Sequence, residues 1–263
     1  MIAEAPARPG RPLLLAEGVS KEFHGFWAVR DVTLHVAAGE IVGLIGPNGA
    51  GKTTLFNVLS RFVAPSSGRI WFDGQRIDTL PAHAVVHRGL VRTFQISRVF
   101  ARMTVEENLM FAARGQLGER LGAALLAPRA VRRQEAAVKK RAHELIRFFQ
   151  LERVRHEYAG ALSGGQRKLL EIARALMTEP RLLLLDEPMA GVNPALKEQI
   201  VGYLFDLRSQ GLTLLIVEHD IDVIMQLCDR ILVMAHGQLI AAGAPHEVQR
   251  DPRVIDAYLG SSA

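Results

Sequence analysis

The segment of residues 46–53, Gly-Pro-Asn-Gly-Ala-Gly-Lys-Thr, constrains the fold more than any other part of the chain. It matches the pattern G-x-x-x-x-G-K-[S/T] and stands between a short apolar run at residues 40–45 and a helical pattern at residues 54–62. Glycines in such a loop let backbone N–H groups turn towards phosphate oxygens, and the next helix presents the positive end of its dipole. The sequence therefore predicts a phosphate-binding loop between a buried strand and a helix.

Two side chains of this loop have predicted roles of their own. Lys52 is expected to reach the terminal phosphates of a nucleoside triphosphate, and the Thr53 hydroxyl is expected to ligate Mg²⁺. The remaining predicted phosphate contacts come from the rest of the loop and the residue after it: Gly46, Pro47, Asn48, Gly49, Ala50, Gly51 and Thr54.

A second segment, residues 182–187 (Leu-Leu-Leu-Leu-Asp-Glu), predicts the acidic half of the same site. An apolar strand that ends in acids carries its carboxylates to the C-terminal edge of a parallel sheet, beside the phosphate loop. Asp186 is predicted to hold Mg²⁺. Glu187 is predicted to orient and deprotonate the attacking water.

Alternating strand and helix patterns predict an α/β core with a largely parallel sheet. The stretch at residues 97–160 differs: it is helical and charged, and Thr104 is a predicted N-cap within it. The predicted organisation is a tail at residues 1–12, a single domain at 13–260 and a helical subdomain at 97–160. The other predicted elements are strands at 13–19, 29–36, 69–72, 91–95, 181–186 and 212–217, helices at 131–149, 166–177, 194–208 and 221–228, a loop or short helix at 115–128, and a hairpin at 231–242.

Composition excludes several classes of protein. One cysteine, Cys228, permits no disulfide within the chain and favours a cytosolic setting. No apolar run reaches the length of a membrane span, and the N-terminal stretch has no apolar region typical of a secretory signal. Residues 114–155 are strongly basic, which indicates either an anionic partner, such as lipid head groups or nucleic acid, or a solvated helix face.

Residues 162–166, Leu-Ser-Gly-Gly-Gln, open another helix with Ser163 as a predicted N-cap. Alone this would be an ordinary capped helix, but it stands shortly before the acidic strand. The phosphate loop, this segment and the acidic strand, in that order, resemble the nucleotide-binding domain of ABC transporters from about residue 13 onward. The resemblance implies a P-loop NTPase fold with a parallel-sheet core, an antiparallel β subdomain and an inserted helical subdomain. It also implies an ATPase that uses ATP and Mg²⁺.

The resemblance implies further site residues. Phe23 matches the aromatic residue that stacks on adenine, Gln95 the glutamine that contacts Mg²⁺ and water, and His219 the histidine that contacts the γ-phosphate. Two chains of this family pair head to tail, so one chain's signature residues would close over ATP held by the other: Ser163, Gly164, Gly165 and Gln166. Asn193 stands where the family more often has Asp. The sequence therefore does not decide how the two chains of such a dimer communicate.

Finer motifs resemble one branch of the family, the LivG-type ATPase subunits of branched-chain amino acid importers. They are the segments at residues 92–100, 103–109 and 190–194, the insert near 115–134 and the ending at 252–260. The resemblance implies transmembrane permeases, a second ATPase subunit in a hetero- or homodimer, and indirectly a periplasmic solute-binding protein. It places the chain peripherally on the cytoplasmic face of the inner membrane. Related ATPases serve urea, short amides and other small polar solutes.

Two other functions remain open from the sequence. The basic stretch is compatible with a soluble ABC ATPase that acts on nucleic acid or ribosomes, although such relatives usually carry two cassettes or a long coiled coil, which this chain lacks. The other alternative is a pure interaction module whose ATPase site is inactive. Against it stands the complete set of Lys52, Asp186, Glu187 and His219.

Overall fold

The computed structural model describes residues 11–93, 99–115 and 128–259. The chain divides into two compact units. The first unit is drawn from residues 1–95, 180–190 and 201–263, and the second from residues 96–179 and 191–200. The predicted helical stretch at 97–160 falls within the second unit, which continues to residue 179.

The first unit contains a six-stranded sheet with the order β10-β9-β3-β8-β7-β6. The strands from β9 to β6 run parallel, and β10 pairs antiparallel with β9. Their bounds are Ile41–Ile45 (β3), Leu90–Arg92 (β6), Leu182–Asp186 (β7), Thr213–Val217 (β8), Arg230–Ala235 (β9) and Gln238–Gly243 (β10). The predicted parallel core and the predicted hairpin around His236 are therefore confirmed.

A four-stranded antiparallel sheet with the order β2-β1-β4-β5 completes the strands of the first unit. Its strands are Leu14–Phe23 (β1), Phe26–Val36 (β2), Ser67–Phe72 (β4) and Gln75–Arg76 (β5). This sheet is the antiparallel β part that the resemblance implies. Both β1 and β2 extend beyond the predicted strands and meet at a tight turn, where His24 and Gly25 have positive φ.

The three central strands are buried along their whole length, which explains their composition. Every residue of β3, β7 and β8 is buried. Parallel strands covered on both faces have no solvent side, so they carry continuous apolar runs rather than an alternation. Apart from Thr213 at the start of β8, the polar residues of these strands appear where the strands end or directly after, which places the chemistry at one edge of the sheet.

Among the described residues, five α-helices lie wholly in the first unit: Lys52–Leu59 (α1), Ala82–His87 (α2), Ile221–Leu227 (α7), Pro245–Val248 (α8) and Pro252–Leu259 (α9). Helix α1 buries Leu55, Phe56, Val58 and Leu59 in a core cluster that also includes residues of both sheets. It begins at Lys52, two residues before the predicted start, because the N–H of Leu55 already bonds to the carbonyl of Gly51. The helices α2, α8 and α9 are not predicted by the sequence patterns.

The second unit is helical, with Val105–Ala112 (α3), Pro128–Phe148 (α4), Gly164–Leu176 (α5) and the first turns of Pro194–Ser209 (α6). Capping boxes open α3 at Thr104 and α5 at Ser163, which confirms both predicted N-caps. Helix α5 begins at Gly164, so the prediction that it starts at residue 166 is wrong by two residues. The predicted loop at 115–128 falls mostly on residues outside the described ranges. Across the described ranges, no helix is both long and apolar enough to cross a membrane.

Candidate active site

The strand order of the larger sheet brings three functional segments of the first unit together. Strand β8 lies between β3 and β7, so the C-terminal ends of all three are neighbours. Residue Gly46 follows β3, Asp186 ends β7, and Glu218 follows β8. The register pairs Leu44 and Asp186 with the same residue of β8, Val217. The phosphate loop and the acidic segment are therefore held at one edge by the hydrogen bonds of the sheet.

The phosphate loop turns sharply, and two of its glycines explain how. Gly46 has φ +149°, and a Cβ there would overlap the carbonyl oxygen of Met234. Gly51 has φ +98°, and a Cβ there would overlap the carbonyl oxygen of Ala28. Only glycine combines this backbone conformation with so close an approach. The loop thus depends on these residues for its shape before any ligand is considered.

Lys52 folds back over its own loop. Its Nζ donates to the carbonyl oxygens of Gly46 at 2.7 Å and Pro47 at 2.9 Å, and the side chain is buried. Burial lowers the pKa of Lys52, while the carboxylates of Glu187 and Asp186 act in the opposite direction. The ammonium is therefore held close to the two acids and bonded to loop carbonyls that a phosphate oxygen could replace.

Asp186 is a buried carboxylate with two different oxygens. Its Oδ2 accepts a hydrogen bond from Nη2 of Arg92 at 2.7 Å, and both side chains are almost completely buried. Its Oδ1 is also buried and has no hydrogen-bond partner among the residues that the structure describes. A carboxylate oxygen is a hard ligand of the kind that Mg²⁺ prefers. Together with the exposed Thr53, this oxygen fits the predicted metal site.

Glu187 and His219 contact each other directly. Nε2 of His219 lies 2.9 Å from Oε1 of Glu187, although the two residues are 32 positions apart. Glu187 has φ +48°, a left-handed conformation that costs energy for a residue with a side chain. Its N–H donates to the carbonyl of Val217 at 2.9 Å, which ties this strained position to β8.

Glu218 supports the contact between Glu187 and His219, and the sequence patterns do not predict it as a site residue. It is buried, and it accepts hydrogen bonds from the N–H of Met189 at 2.7 Å and from the N–H of His219 at 3.2 Å. It thereby connects the turn after β7 to the turn after β8. The available signal was a charged residue at the end of an apolar strand, directly before His219.

The C-terminal helix also reaches the phosphate loop. The half-buried Tyr258 of α9 makes a hydrogen bond with the backbone of Gly46. Burial raises the pKa of its phenol, and the bond with Gly46 opposes that shift. Beside this contact lies a cavity of about 190 Å³ lined by residues of the loop, of the β9–β10 turn and of α9: Pro47, Asn48, Gly49, Ala50, His236, Asp256 and Ala257. Nothing in the local pattern around Tyr258 predicts this contact.

The other predicted site residues have contacts of their own. Phe23 ends β1 with an exposed ring, and Nζ of Lys21 lies 4.9 Å from the ring centroid. The segment at residues 163–166 belongs to the second unit, where Ser163 and Gln166 bond each other in the capping box of α5. Asn193 caps α6 through a hydrogen bond from the N–H of Leu196 at 2.9 Å. Gln95 lies outside the described residues.

Comparison with known proteins identifies the family. A family model described as "ABC transporter" matches residues 29–190, which include the phosphate loop, residues 163–166 and the acidic strand. The chain belongs to the ABC transporter ATP-binding family. A second model, described as "Branched-chain amino acid ATP-binding cassette transporter", matches residues 238–263. As an ABC ATPase, the chain binds ATP and hydrolyses it, and the sequence prediction of this family is confirmed.

Among relatives, the chain is similar to the high-affinity branched-chain amino acid transport ATP-binding proteins BraF of Pseudomonas aeruginosa and LivG of Escherichia coli. The BraF match is 41% identical over 253 residues and covers 96% of this chain and 99% of BraF. The LivG match is 41% identical over 254 residues and also covers 96% and 99%. The predicted resemblance to the LivG type is therefore confirmed.

Solved structures confirm the fold class. A nucleotide-free ATP-binding cassette from an ABC transporter is similar with a TM-score of 0.81 and 36% identity, covering 94% of this chain and 99% of that one. A dimeric ATP-binding cassette in a post-hydrolysis state, bound to ADP and Pi, is similar with a TM-score of 0.73 and 26% identity, covering 88% and 98%.

Proposed function

We propose that this chain hydrolyses ATP at the edge formed by β3, β7 and β8 and that it energises the import of branched-chain amino acids or a related small polar solute. The contact between Glu187 and His219, beside the buried Asp186 and Lys52, carries the proposal. It joins a carboxylate able to act on water to an imidazole able to contact the transferred phosphate.

Binding begins with the phosphate loop. Its carbonyls now accept the hydrogen bonds of Lys52, and phosphate oxygens of ATP replace them as acceptors. The ammonium then offsets phosphate charge instead of loop dipoles. The N–H groups at the start of α1 and its dipole act on the same phosphates. Phe23 is the proposed stacking partner of the adenine, because an aromatic face suits any purine and the ring is exposed.

Mg²⁺ would be held by Thr53, Asp186 and Gln95. The buried Oδ1 of Asp186 supports this assignment, since a carboxylate oxygen without a donor is costly unless a cation or water reaches it. When bound, the ion neutralises charge on the β- and γ-phosphates.

Glu187 is the proposed general base and water-orienting residue, and His219 is the proposed contact to the γ-phosphate. The test is Glu187→Gln, which keeps the shape and an acceptor oxygen for His219 but cannot take a proton. We expect ATP binding close to that of the wild type and a hydrolysis rate lower by about 10²–10⁴-fold, the usual contribution of a general base.

Glu40→Gln is a matched control for this test. It removes another partly buried carboxylate of the first unit, one paired with Arg230 just before β3, at the opposite end of that strand from the phosphate loop. The rate of hydrolysis is measured in a single turnover, and ATP binding is measured in a separate titration. The two measurements together distinguish an effect on the chemical step from an effect on binding. A Glu187→Gln rate within about threefold of the wild type, well below a general-base contribution, would exclude Glu187 from that role.

The proposed partners follow from the family. Two ATPase chains, identical or different, pair head to tail, so that residues 163–166 of one close over ATP on the other. The dimeric form of the similar cassette and the helix N-terminus that opens at Ser163 support this arrangement. Permeases at the cytoplasmic face of the membrane and a solute-binding protein outside it complete the proposed importer. The match of residues 238–263 to the branched-chain amino acid model supports the substrate class.

A further inference from the structure

One arginine outside the predicted site connects three of its parts. Arg92 ends β6, and its Nη2 donates to Oδ2 of Asp186 at 2.7 Å. Its Nη1 donates to Oδ1 of Asn57, on α1, at 2.6 Å, and the guanidinium lies 5.7 Å from the ring centroid of Phe56. The acidic strand, the helix that follows the phosphate loop and β6 are thus joined through one side chain.

The bond from Arg92 determines which face of Asp186 can serve a ligand. The planar guanidinium has donors in fixed directions, so two separate acceptors can hold it in a single orientation. With Oδ2 occupied, Oδ1 is the oxygen of Asp186 that remains without a partner among the described residues. Arg92 therefore acts on the orientation of the carboxylate, and not only on its charge.

The ion pair of Arg92 and Asp186 also lowers the net negative charge that a metal ion would meet in the absence of nucleotide. The side chains of Arg92 and Asp186 are 4% and 1% exposed, so water screens their charges poorly. Lys52 is a second buried cation close to the two acids. The carboxylates of Asp186 and Glu187 are thus matched by two fixed positive charges.

We propose that Arg92 is a positioning residue that makes the metal site depend on nucleotide. By bonding Oδ2 of Asp186, Arg92 leaves Oδ1 for the metal ion. Its positive charge also offsets the charge of the carboxylate, so that the nucleotide-free chain does not retain a free divalent cation. Phosphate oxygens supply the missing negative charge, and the cation enters with ATP. This inference rests on the proposed role of Asp186 as a metal ligand.

The test uses Mn²⁺ alone as the probe, added to the full nucleotide-free chain, with the electron paramagnetic resonance signal of free Mn²⁺ as the readout. For the wild type we expect no loss of signal at Mn²⁺ concentrations that saturate the ATP complex. For Arg92→Gln we expect Mn²⁺ affinity at least about tenfold higher, because a nearby unscreened cation has been removed. Arg92→Lys keeps the charge but loses the fixed fork of donors, so its Mn²⁺ affinity should stay closer to that of the wild type than the affinity of Arg92→Gln does.

Two controls locate the effect. Adding Asp186→Asn to Arg92→Gln should abolish the new binding. Arg181→Gln removes an arginine that pairs with Asp73 just before the start of β7, and it should leave Mn²⁺ binding unchanged. Circular dichroism shows whether each variant is folded, and the wild-type measurement tests the proposal even if Arg92→Gln does not fold.

Two results would overturn the inference: Mn²⁺ binding by the nucleotide-free wild type that is lost in Asp186→Asn, or unchanged Mn²⁺ affinity in a folded Arg92→Gln. An Arg92→Lys variant that behaves like Arg92→Gln would overturn the charge argument. The proposed function is tested separately by Mg²⁺-dependent ATP hydrolysis of the wild type, so the two failures are distinguishable.

Discussion

The buried pair of Arg92 and Asp186 makes a strong prediction about stability. Asp186→Asn keeps the size of the side chain and an oxygen that can accept from Arg92, but it removes the negative charge. The guanidinium is then left in a site that is almost closed to water. Removing one partner of a buried ion pair costs about 3–5 kcal/mol. Because the hydrogen bond can survive, we expect the lower end, about 3 kcal/mol of lost unfolding free energy.

The measurement is a urea titration and a thermal melt of the nucleotide-free chain with a chelator present. For a protein of this size, 1 kcal/mol shifts the melting midpoint by about 2–4 °C, so the midpoint of Asp186→Asn should fall by about 6–12 °C. The control is Asp251→Asn, which breaks a pair with an arginine whose side chain is 69% exposed. Such a pair is worth at most about 1 kcal/mol.

A double variant separates the ion pair from other effects of Asp186. If the cost arises from the uncompensated cation, Arg92→Met combined with Asp186→Asn should cost clearly less than the sum of the two single changes. A loss below about 1 kcal/mol for Asp186→Asn, or full additivity in the double variant, would refute the claim that the two charges compensate each other.

Three further predictions concern the phosphate loop, its contact with α9, and dimerisation. Lys52→Ala should weaken ATP binding, measured by titration with a fluorescent ATP analogue; unchanged affinity would contradict the loop assignment. Tyr258→Phe removes the hydrogen bond with Gly46, worth about 1 kcal/mol, and should speed nucleotide dissociation several-fold in stopped flow; an unchanged rate would show that α9 does not support the loop. Ser163→Arg should prevent ATP-dependent dimerisation in light scattering while monomers still bind ATP; a normal dimer would rule out the head-to-tail arrangement.

The parts of the fold that could be predicted are those encoded by local patterns. The apolar runs of β3, β7 and β8 mark buried parallel strands, and the glycines between residues 46 and 51 mark a turn that other residues cannot form. Thr104 and Ser163 cap helices through contacts only three residues away. The caps depend on near neighbours in the chain, and the apolar runs and the glycine spacing can be read from the local sequence, whereas the close approaches of Gly46 to Met234 and of Gly51 to Ala28 cannot.

The contacts that complete the site are not local. Glu187 meets His219 because β8 lies beside β7, and Arg92 meets Asp186, 94 residues away, because β6 pairs with β7. Residue patterns predict that these strands exist, but they do not determine which strand ends next to which. An arginine in a short strand has no periodic signature, and the contact of Tyr258 with Gly46 depends on where α9 packs.

The strained backbone at Glu187 shows why these distant contacts matter for catalysis. A left-handed conformation persists only when the surrounding structure holds it, and here β8 accepts the N–H of Glu187 while Glu218 accepts the N–H of Met189 two residues later. The same Glu218 carboxylate accepts the N–H of His219, so one buried acid holds the backbone on both sides of the Glu187–His219 contact. The direction of the proposed catalytic carboxylate is therefore set by a residue that needs no contact with ATP.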